Sequence, residues 1–393
     1  MMNFDVNAPR VIFGAGCSKT IPDVVNTING IKTVMVVTDN GIKSLGIADP
    51  IEDALKKAGY NVVEYYDIAQ DPTDKTVEEA ALIAKSQNID LFVAVGGGAV
   101  LDFTKAMALI MTNEAPLLDY SVFVGQKPVI NDCMPWIGVP TTSGTGSEAT
   151  HMALITGAEH DNRKLMVGNR SKMLATAAFL DPELVLGLPK SLTASTGMDV
   201  LSHAIEAYFS MAANTYSDMW ALKAIQLAGA NLRKAVEDGQ NVEVRANMML
   251  AATFAGVSFG NSILQIGHAI SHGIGETSHV PHGIACAWGL PYCIRRSGAA
   301  NEEYKVVRVA NALGLETKGK TKDELVIDLE DEIMKLNRDF NIPTPKSYGI
   351  GSKEAMEAGF NASVAYEQWM LQSGCVSVTN EELHSYYEEL WAW

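Results

Sequence analysis

The chain has 393 residues, 47% of them hydrophobic and 19% charged, which is the composition of a globular protein with a sizeable buried core. This length suits two domains better than one. The formal net charge of −16 disfavours non-specific binding to nucleic acid or to an anionic membrane, because both partners would be negative.

The first half of the chain alternates short apolar, β-branched runs with amphipathic segments. Strands are predicted at residues 32–38, 61–66, 90–95 and 136–139, and helices at 50–59, 74–87 and 100–111, with an Asp as the cap of the helix at 74–87. Strands that alternate with helices indicate a parallel sheet covered by helices on both faces.

From about residue 191 onward the β signal fades. Helical length and spacing are found at residues 192–211, 215–237, 242–272, 301–313, 322–339 and 352–373. The sequence therefore predicts an α/β domain over residues 1–187 and an all-helical domain over 188–393, with a cleft between them as the natural ligand site.

Cysteine usage and hydropathy bear on where the protein works. None of the five cysteines forms a C-x-x-C pair, and an odd number argues against a disulfide framework, so we expect a cytoplasmic protein. The N-terminus does not resemble a signal peptide. Residues 246–275 carry no Asp, Glu, Lys or Arg, but polar side chains such as His268 would be costly in lipid, so we expect a buried core helix and no membrane span.

Glycines at the end of the third predicted strand form a candidate phosphate site. Gly96, Gly97 and Gly98 precede a helix, and such a turn lets the backbone approach a phosphate at the helix N-terminus. The run is not the G-x-G-x-x-G fingerprint, and a tight turn without a ligand uses glycine equally well. A second run, Gly14-Ala15-Gly16, is interpreted as a structural turn.

Two further segments point to a nucleotide. The loop PTTSGTGSE at residues 140–148 places five hydroxyl groups after a strand, which favours phosphate or ribose binding over a simple helix cap. Asp39 closes the first predicted strand, where its carboxylate would accept hydrogen bonds from a ribose diol and repel a 2′-phosphate, favouring NAD over NADP. A turn-forming Asp is an equal alternative there.

The histidines of the second half indicate a metal site. Asp199 and His203 are four residues apart, so on a helix both can reach one ion. His268 and His272 repeat this spacing, and His282 follows a turn. Three imidazoles and one carboxylate suit Fe(II) or Zn(II). Spacing alone does not decide which later histidine is spare among His268, His272, His279 and His282.

Together these segments resemble the iron-containing (group III) alcohol dehydrogenase family. The matching motifs are GGG with Asp102, PTTSGTGSE at 140–148, GMDVLSHAIEAY at 197–208 and GHAISHGIGETSHVPHG at 267–283. The resemblance covers nearly the whole chain. It implies a Rossmann-like N-terminal domain and a helical C-terminal domain, as in dehydroquinate synthase-like proteins, in a homodimer or larger homo-oligomer. It also implies metal-dependent hydride transfer between a nicotinamide and a small primary alcohol or aldehyde.

The resemblance further implies a role for individual residues. Asp199, His203, His268 and His282 would bind Fe(2+), with Zn(2+) as the alternative, and His272 would lie near the nicotinamide and the substrate without binding metal. Because a neutral imidazole can both donate and accept a proton, we expect His272 to relay one. Met152 and Phe259 would line the substrate pocket. The residues expected to meet NAD(H), rather than NADP(H), are Asp39, Asp71, Gly97, Gly98, Thr141, Thr142, Thr145 and Lys164, together with Ala99.

Two departures from the family pattern and two alternatives remain. Ala99 stands where the family has Ser, so only its backbone N–H is available, and CVSVTN at residues 375–380 replaces a TNPR-like stretch, which leaves the identity of the substrate open.

The alternatives to an alcohol dehydrogenase are a related enzyme, either a zinc polyol (glycerol-type) dehydrogenase or a dehydroquinate-synthase-like lyase, and a non-catalytic metal-binding protein that kept the fold. The hydroxyl loop and the histidine motif favour the alcohol dehydrogenase.

Overall fold

The computed structural model describes residues 5–125, 127–160, 163–168 and 171–393. The chain forms two compact units. We call residues 7–142 and 146–187 the α/β unit, and residues 143–145 and 188–393, with the start of the chain, the helical unit. The loop at residues 140–148, which we call the hydroxyl loop, is thus divided between the two units, because its residues 143–145 group with the helices.

The α/β unit contains a six-stranded parallel sheet in the order β1-β8-β5-β4-β2-β3, and a separate antiparallel pair, β6 and β7. The strands are β1 (Val11–Phe13), β2 (Thr33–Val37), β3 (Asn61–Tyr65), β4 (Leu91–Gly96), β5 (Trp136–Pro140), β6 (Met152–Thr156), β7 (Lys164–Gly168) and β8 (Ala177–Leu180). The helices are α1 (Ile21–Val25), α2 (Asn40–Ser44), α3 (Asp49–Lys57), α4 (Asp74–Ser86) and α5 (Gly98–Thr112).

Both faces of this sheet are buried, which explains the apolar runs of its central strands. Val34 and Val36 of β2 pack into one hydrophobic cluster with α1 and α3. Met35 and Val37, which point the other way, pack into a second cluster with α4 and α5. A strand buried on both sides loses the alternation of polar and apolar residues. The predicted parallel α/β fold class is confirmed.

The helical unit consists of eleven α-helices within the described residues. They are α6 (Lys190–Phe209), α7 (Thr215–Glu237), α8 (Val242–Gly260), α9 (Ile266–Ser278), α10 (His282–Cys293), α11 (Glu303–Ala312), α12 (Lys322–Asp339), α13 (Pro345–Tyr348), α14 (Lys353–Tyr366), α15 (Gln368–Leu371) and α16 (Asn380–Ala392). One hydrophobic cluster joins α6, α7, α8, α11 and α12, and another joins α9, α10, α14 and α16. The helix α10 contributes residues to both clusters.

The prediction of one helix over residues 242–272 is wrong. The chain leaves the helix after Gly260 and starts α9 at Ile266, so residues 246–275 do not form a single buried helix. The backbone N–H groups of Gln265 and His268 both donate to Oε2 of Glu206, at 2.9 and 3.1 Å. A buried carboxylate from α6 thus replaces helical hydrogen bonds at the break.

Two smaller expectations are also wrong. The predicted helix over 352–373 is divided, since α14 ends at Tyr366 and the short α15 begins at Gln368. The cap of α4 is Thr73, whose hydroxyl accepts from the N–H of Thr76, and not an Asp. In the part of the chain that the structure describes, none of the helices has the length and apolar character needed to cross a membrane.

Candidate metal centre and cofactor site

The helix α6 presents three polar side chains on one buried face. Asp199, His203 and Glu206 are spaced four and three residues apart, so they lie above one another along the helix. They are 2%, 4% and 0% exposed, which is unusual for polar residues unless each has a partner or a bound ion.

Histidines from α9 and α10 converge on Asp199. Its Oδ1 lies 3.5 Å from Nδ1 of His203, 3.5 Å from Nε2 of His282 and 3.9 Å from Nε2 of His268. Within the described residues, neither Asp199 Oδ1 nor His203 Nδ1 has a hydrogen-bond partner. Buried polar atoms rarely lack a hydrogen-bond partner. These two atoms therefore indicate a binding site for an ion between them.

The separations between these atoms fit a divalent ion. With metal–nitrogen and metal–oxygen distances of about 2.0–2.1 Å, a tetrahedral ion keeps its ligand atoms about 3.4 Å apart. The observed separations of 3.5 and 3.9 Å lie close to this value. Imidazole and carboxylate are donors that suit Zn(II) and Fe(II). The residues present therefore fit a metal ion of this kind.

The most compact set of ligand atoms differs in one member from the expected four. The donor atoms of Asp199, His268, His282 and Cys286 all lie within 4.8 Å of one another. His203 lies beside this set, and its ring stacks on Phe259 and on His268 with centroid distances of 4.4 and 4.6 Å. All four expected ligands are thus neighbours, and a thiol that no motif singled out joins them.

Glu206 orients His268. Its Oε1 lies 2.7 Å from Nδ1 of His268, so this carboxylate accepts a hydrogen bond from Nδ1–H and leaves Nε2 to face the cluster. Carboxylate–histidine pairs of this kind fix the tautomer of a metal-binding imidazole. The approach requires Gly267, because a Cβ at that position would collide with the Glu206 carboxylate.

Burial dominates the electrostatics of the cluster. It raises the pKa of Asp199 to about 6, against the opposing effects of His268 and of the neighbouring Cys286 thiol. Burial and the neighbouring histidines hold the pKa of His203 well below its usual value, which keeps that imidazole in the neutral form that binds metals. A cation at the centre would offset the cost of the buried carboxylate.

His272 stands one turn after His268 and faces a different partner. Its Nδ1 lies 3.2 Å from Oε1 of Glu367, a buried carboxylate between α14 and α15. Burial lowers the pKa of His272, but Glu367 and then Glu276 and Glu206 outweigh it, so the net pKa is raised. The ring lies close to the cluster, with its centroid 5.7 Å from that of His282.

In the α/β unit, three expected cofactor segments follow three neighbouring strands. Asp39 comes after β2, Gly97 after β4 and Thr141 after β5, and these strands lie side by side in the parallel sheet. The carboxyl ends of parallel strands share one edge, which is where nucleotides bind in such sheets. Gly97 is the N-cap residue of α5, and no side chain among the described residues caps this end of the helix.

Several side chains that were expected to meet the cofactor already have partners within the protein. Asp39 caps α2, because its Oδ1 accepts from the N–H of Ile42 at 2.9 Å. Lys164 donates to Oδ1 of Asp71 at 2.5 Å and to the hydroxyl of Thr156 at 3.1 Å. One role of Asp39 is therefore that of a turn and cap residue, which it performs with one of its two carboxylate oxygens.

Comparisons with known proteins decide the family. Residues 8–182 match the model of "Iron-containing alcohol dehydrogenase", and residues 193–391 match that of the "Fe-containing alcohol dehydrogenase family, C-terminal". The chain belongs to the iron-containing alcohol dehydrogenase family. It is thus an oxidoreductase of the alcohol dehydrogenase type, and the metal cluster and the glycine-rich strand edge are features of one enzyme.

Individual relatives of this alcohol dehydrogenase span most of its length. It is 35% identical to a 1,3-propanediol dehydrogenase of Citrobacter freundii over 90% of each chain. It is 34% identical to a sulfoacetaldehyde reductase of Bilophila wadsworthia over 87% of each chain. The solved structure of a sulfoacetaldehyde reductase from Bifidobacterium kashiwanohense in complex with NAD+ has 28% identity and a TM-score of 0.87, covering 99% of both chains.

The remaining expected residues of this dehydrogenase lie in both units. Ala99 is the second residue of α5, and Thr142 lies next to Gly97, since a Cβ on that glycine would be 3.5 Å from Cγ2 of Thr142. Met152 begins β6 in the α/β unit. Thr145 and Phe259 belong to the helical unit, where Phe259 stacks on His203.

A buried lysine that sequence reasoning missed holds the hydroxyl loop in place. Lys105 of α5 is fully buried, and its Nζ donates to Oδ1 of Asp102, to Ser147, to the hydroxyl of Thr150 and to the carbonyl of Met152. The hydroxyl of Ser147 in turn donates to Asp102. The hydroxyl of Ser147, one of the five in the loop, thus has a structural role.

Proposed function

We propose that this protein is a metal-dependent, NAD(H)-linked alcohol dehydrogenase that reduces small aldehydes to primary alcohols. The observation that carries the proposal is the convergence of three imidazoles on Asp199 Oδ1, a buried atom that lacks a hydrogen-bond partner in the described part of the chain. Relatives named as a sulfoacetaldehyde reductase and a 1,3-propanediol dehydrogenase support the substrate class.

The metal ligands in this proposal are Asp199, His203, His268 and His282, and the ion is Fe(2+), with Zn(2+) as the alternative. When bound, the ion supplies positive charge that polarises a carbonyl oxygen, and the nicotinamide supplies or accepts the hydride. The residues of the chain prepare this centre beforehand. Glu206 holds His268 with Nε2 directed at the cluster, and burial keeps His203 neutral.

His272 is the proposed proton carrier. A neutral imidazole can accept a proton at one nitrogen while it donates at the other. Its Nδ1 is held by Glu367, which fixes the orientation of the ring and favours its protonated form. During aldehyde reduction His272 would deliver a proton towards the developing hydroxyl, and during alcohol oxidation it would take one away.

The cofactor is proposed to lie along the carboxyl edge of the sheet. The backbone around Gly97, Gly98 and Ala99 would hold the pyrophosphate at the start of α5, and Asp39 would accept hydrogen bonds from the ribose and disfavour NADP(H). The other proposed contacts are those of Thr141, Thr142, Thr145, Asp71 and Lys164. Met152 and Phe259 would line the substrate pocket.

The proposed domains are residues 1–187 for the dinucleotide and residues 188–393 for the metal. We further propose a cytoplasmic homodimer or larger homo-oligomer. All five cysteines are free, which agrees with a reducing compartment.

An aldehyde panel on the Fe(II)-reconstituted protein tests the proposal. Small primary aldehydes should be reduced with NADH faster than with NADPH, and glycerol should be oxidised poorly. Zn(II)-reconstituted protein provides the comparison for the metal. Faster glycerol oxidation than aldehyde reduction would point to a polyol dehydrogenase, and an NADPH preference would overturn the role given to Asp39.

A further inference from the structure

Cys286 lies inside the metal centre, although no motif singled it out. It stands one helical turn after His282 on α10 and is fully buried. Its Sγ lies 3.5 Å from Nε2 of His282 and 3.7 Å from Nε2 of His268. Together with the Asp199 carboxylate, these donor atoms form the most compact potential ligand set among the described residues.

We propose that Cys286 is an additional ligand of the metal ion and gives the centre a mixed nitrogen, oxygen and sulfur donor set. This inference rests on the proposed function, because it takes the ion to be present. In a five-coordinate ion with a metal–sulfur distance of about 2.3 Å and a metal–nitrogen distance of about 2.0–2.1 Å, neighbouring sulfur and nitrogen donors lie about 3.1–3.8 Å apart. The two measured separations, 3.5 and 3.7 Å, lie within this range.

A second observation supports an ion at the same point. Asp199 Oδ1 is buried, makes no hydrogen bond to any residue that the structure describes, and lies 3.5 Å from the His282 nitrogen that Cys286 also approaches. The hydroxyl of Ser271 lies 3.3 Å from Sγ of Cys286 and can donate a hydrogen bond to it. Such donors commonly stabilise a ligand atom from outside the ligand shell.

A sulfur ligand changes which metal the centre prefers. As the sulfur–metal bond forms, the thiol loses its proton to solvent, and the thiolate donates to the ion. Thiolate is a soft donor that favours Zn(II), whereas imidazole and carboxylate discriminate less between Zn(II) and Fe(II). With Cys286 bound, the protein should hold zinc more tightly relative to iron than the three histidines and Asp199 would do alone.

Cys293 offers a matched control. It is also fully buried, lies two helical turns further along α10, and packs into the hydrophobic cluster of α9, α14 and α16. Replacing Cys293 with Ala removes the same atoms from the same helix without touching the metal cluster. Cys286→Ala and Cys293→Ala therefore differ only in whether the lost sulfur faces the proposed ion.

Cobalt spectroscopy of the full-length protein tests the proposal. Co(II) binding gives visible d–d bands, and a thiolate ligand adds a sulfur-to-cobalt charge-transfer band in the near ultraviolet. We expect both in the unmodified protein and in Cys293→Ala, and only the visible bands in Cys286→Ala. Visible bands without the ultraviolet band in the unmodified protein would overturn the role of Cys286 alone. Absence of any cobalt binding would overturn the metal centre and, with it, the proposed function.

Chelator competition supplies a second readout that does not depend on activity. In Cys286→Ala the affinity for Zn(II) should fall by at least about tenfold, the lower bound for losing even an outer-shell partner, and the affinity for Fe(II) should fall less. Cys286→Ser, a smaller change, should show the same trend if Cys286→Ala folds poorly. Equal losses for the two metals would overturn the inferred preference for zinc.

Discussion

The metal cluster and the strand edge of this enzyme are prepared for their ligands in different ways. In the metal cluster, Asp199 Oδ1 and His203 Nδ1 are buried and lack partners in the described structure, so a bound ion would satisfy them. Among the expected cofactor residues, Asp39 at the strand edge already caps α2, and Asp71 already pairs with Lys164. Buried polar atoms without partners are costly, whereas partly exposed pairs contribute little. Substitutions in the metal cluster should therefore reduce activity more than substitutions at the strand edge.

Replacing Asp199 with Ala should have the largest effect. This change removes the one carboxylate among the expected ligands, so the protein should lose its metal ion, and kcat/KM should fall by about 1,000-fold or more. Metal content and aldehyde reduction are the measurements. His384→Ala is the control, because His384 lies on α16 and pairs with Glu357 instead of facing the cluster. Full metal content in Asp199→Ala would show that the ion binds elsewhere.

His272→Ala should separate proton transfer from metal binding. A general acid–base residue contributes roughly 100-fold or more, so turnover should fall by about this factor while metal content stays normal. The two quantities can be measured on the same preparation. Loss of metal in this variant would mean that His272 is a ligand and that its contact with Glu367 has another purpose.

Glu206 and Glu367 are buried carboxylates that each contact a histidine, and replacing them should affect different quantities. Glu206→Gln removes the charge that holds His268, so metal affinity should fall by roughly 10–100-fold. Glu367→Gln is the matched variant, since Glu367 makes the same kind of bond to His272, and it should lower turnover with metal affinity unchanged. Equal metal affinities in the two variants would contradict the orienting role of Glu206.

Of these substitutions, Asp39→Asn should have the smallest effect on activity. It should change the preference between NADH and NADPH. Asn caps a helix about as well as Asp, so thermal stability should be preserved. Loss of the charge should raise the ratio of NADPH to NADH activity by about tenfold, which corresponds to about 1.4 kcal/mol. An unchanged ratio would mean that the side chain serves only as the cap of α2.

Local patterns in the sequence were sufficient to predict the elements whose apolar residues form a clear run or period. The strands β2, β3, β4 and β5 were predicted, because a central parallel strand is a continuous apolar run. The pair β6 and β7 was missed. The four-residue β8 was also missed, since it is short and its pairing partners β1 and β5 lie far away in the chain. The break between α8 and α9 was missed for a related reason. It depends on the Glu206 carboxylate of α6, which no local pattern reveals.

The candidate site was only partly accessible from the sequence. Glu206 and Cys286 could have been found, because each lies one helical turn after an expected ligand, His203 and His282. Glu367 could not, since it is 95 residues from His272 and nothing in its surroundings marks it. Spacing on one helix is visible in a sequence, whereas a contact between distant helices is decided by packing.

Anomalous diffraction from crystals of the metal-loaded protein tests the metal centre most directly. We expect a single anomalous peak among the side chains of Asp199, His268 and His282, at about 2.0–2.2 Å from their donor atoms. A peak remote from these residues, or crystals that take up no metal although the cluster is intact, would contradict the assignment of this cluster as the catalytic metal centre.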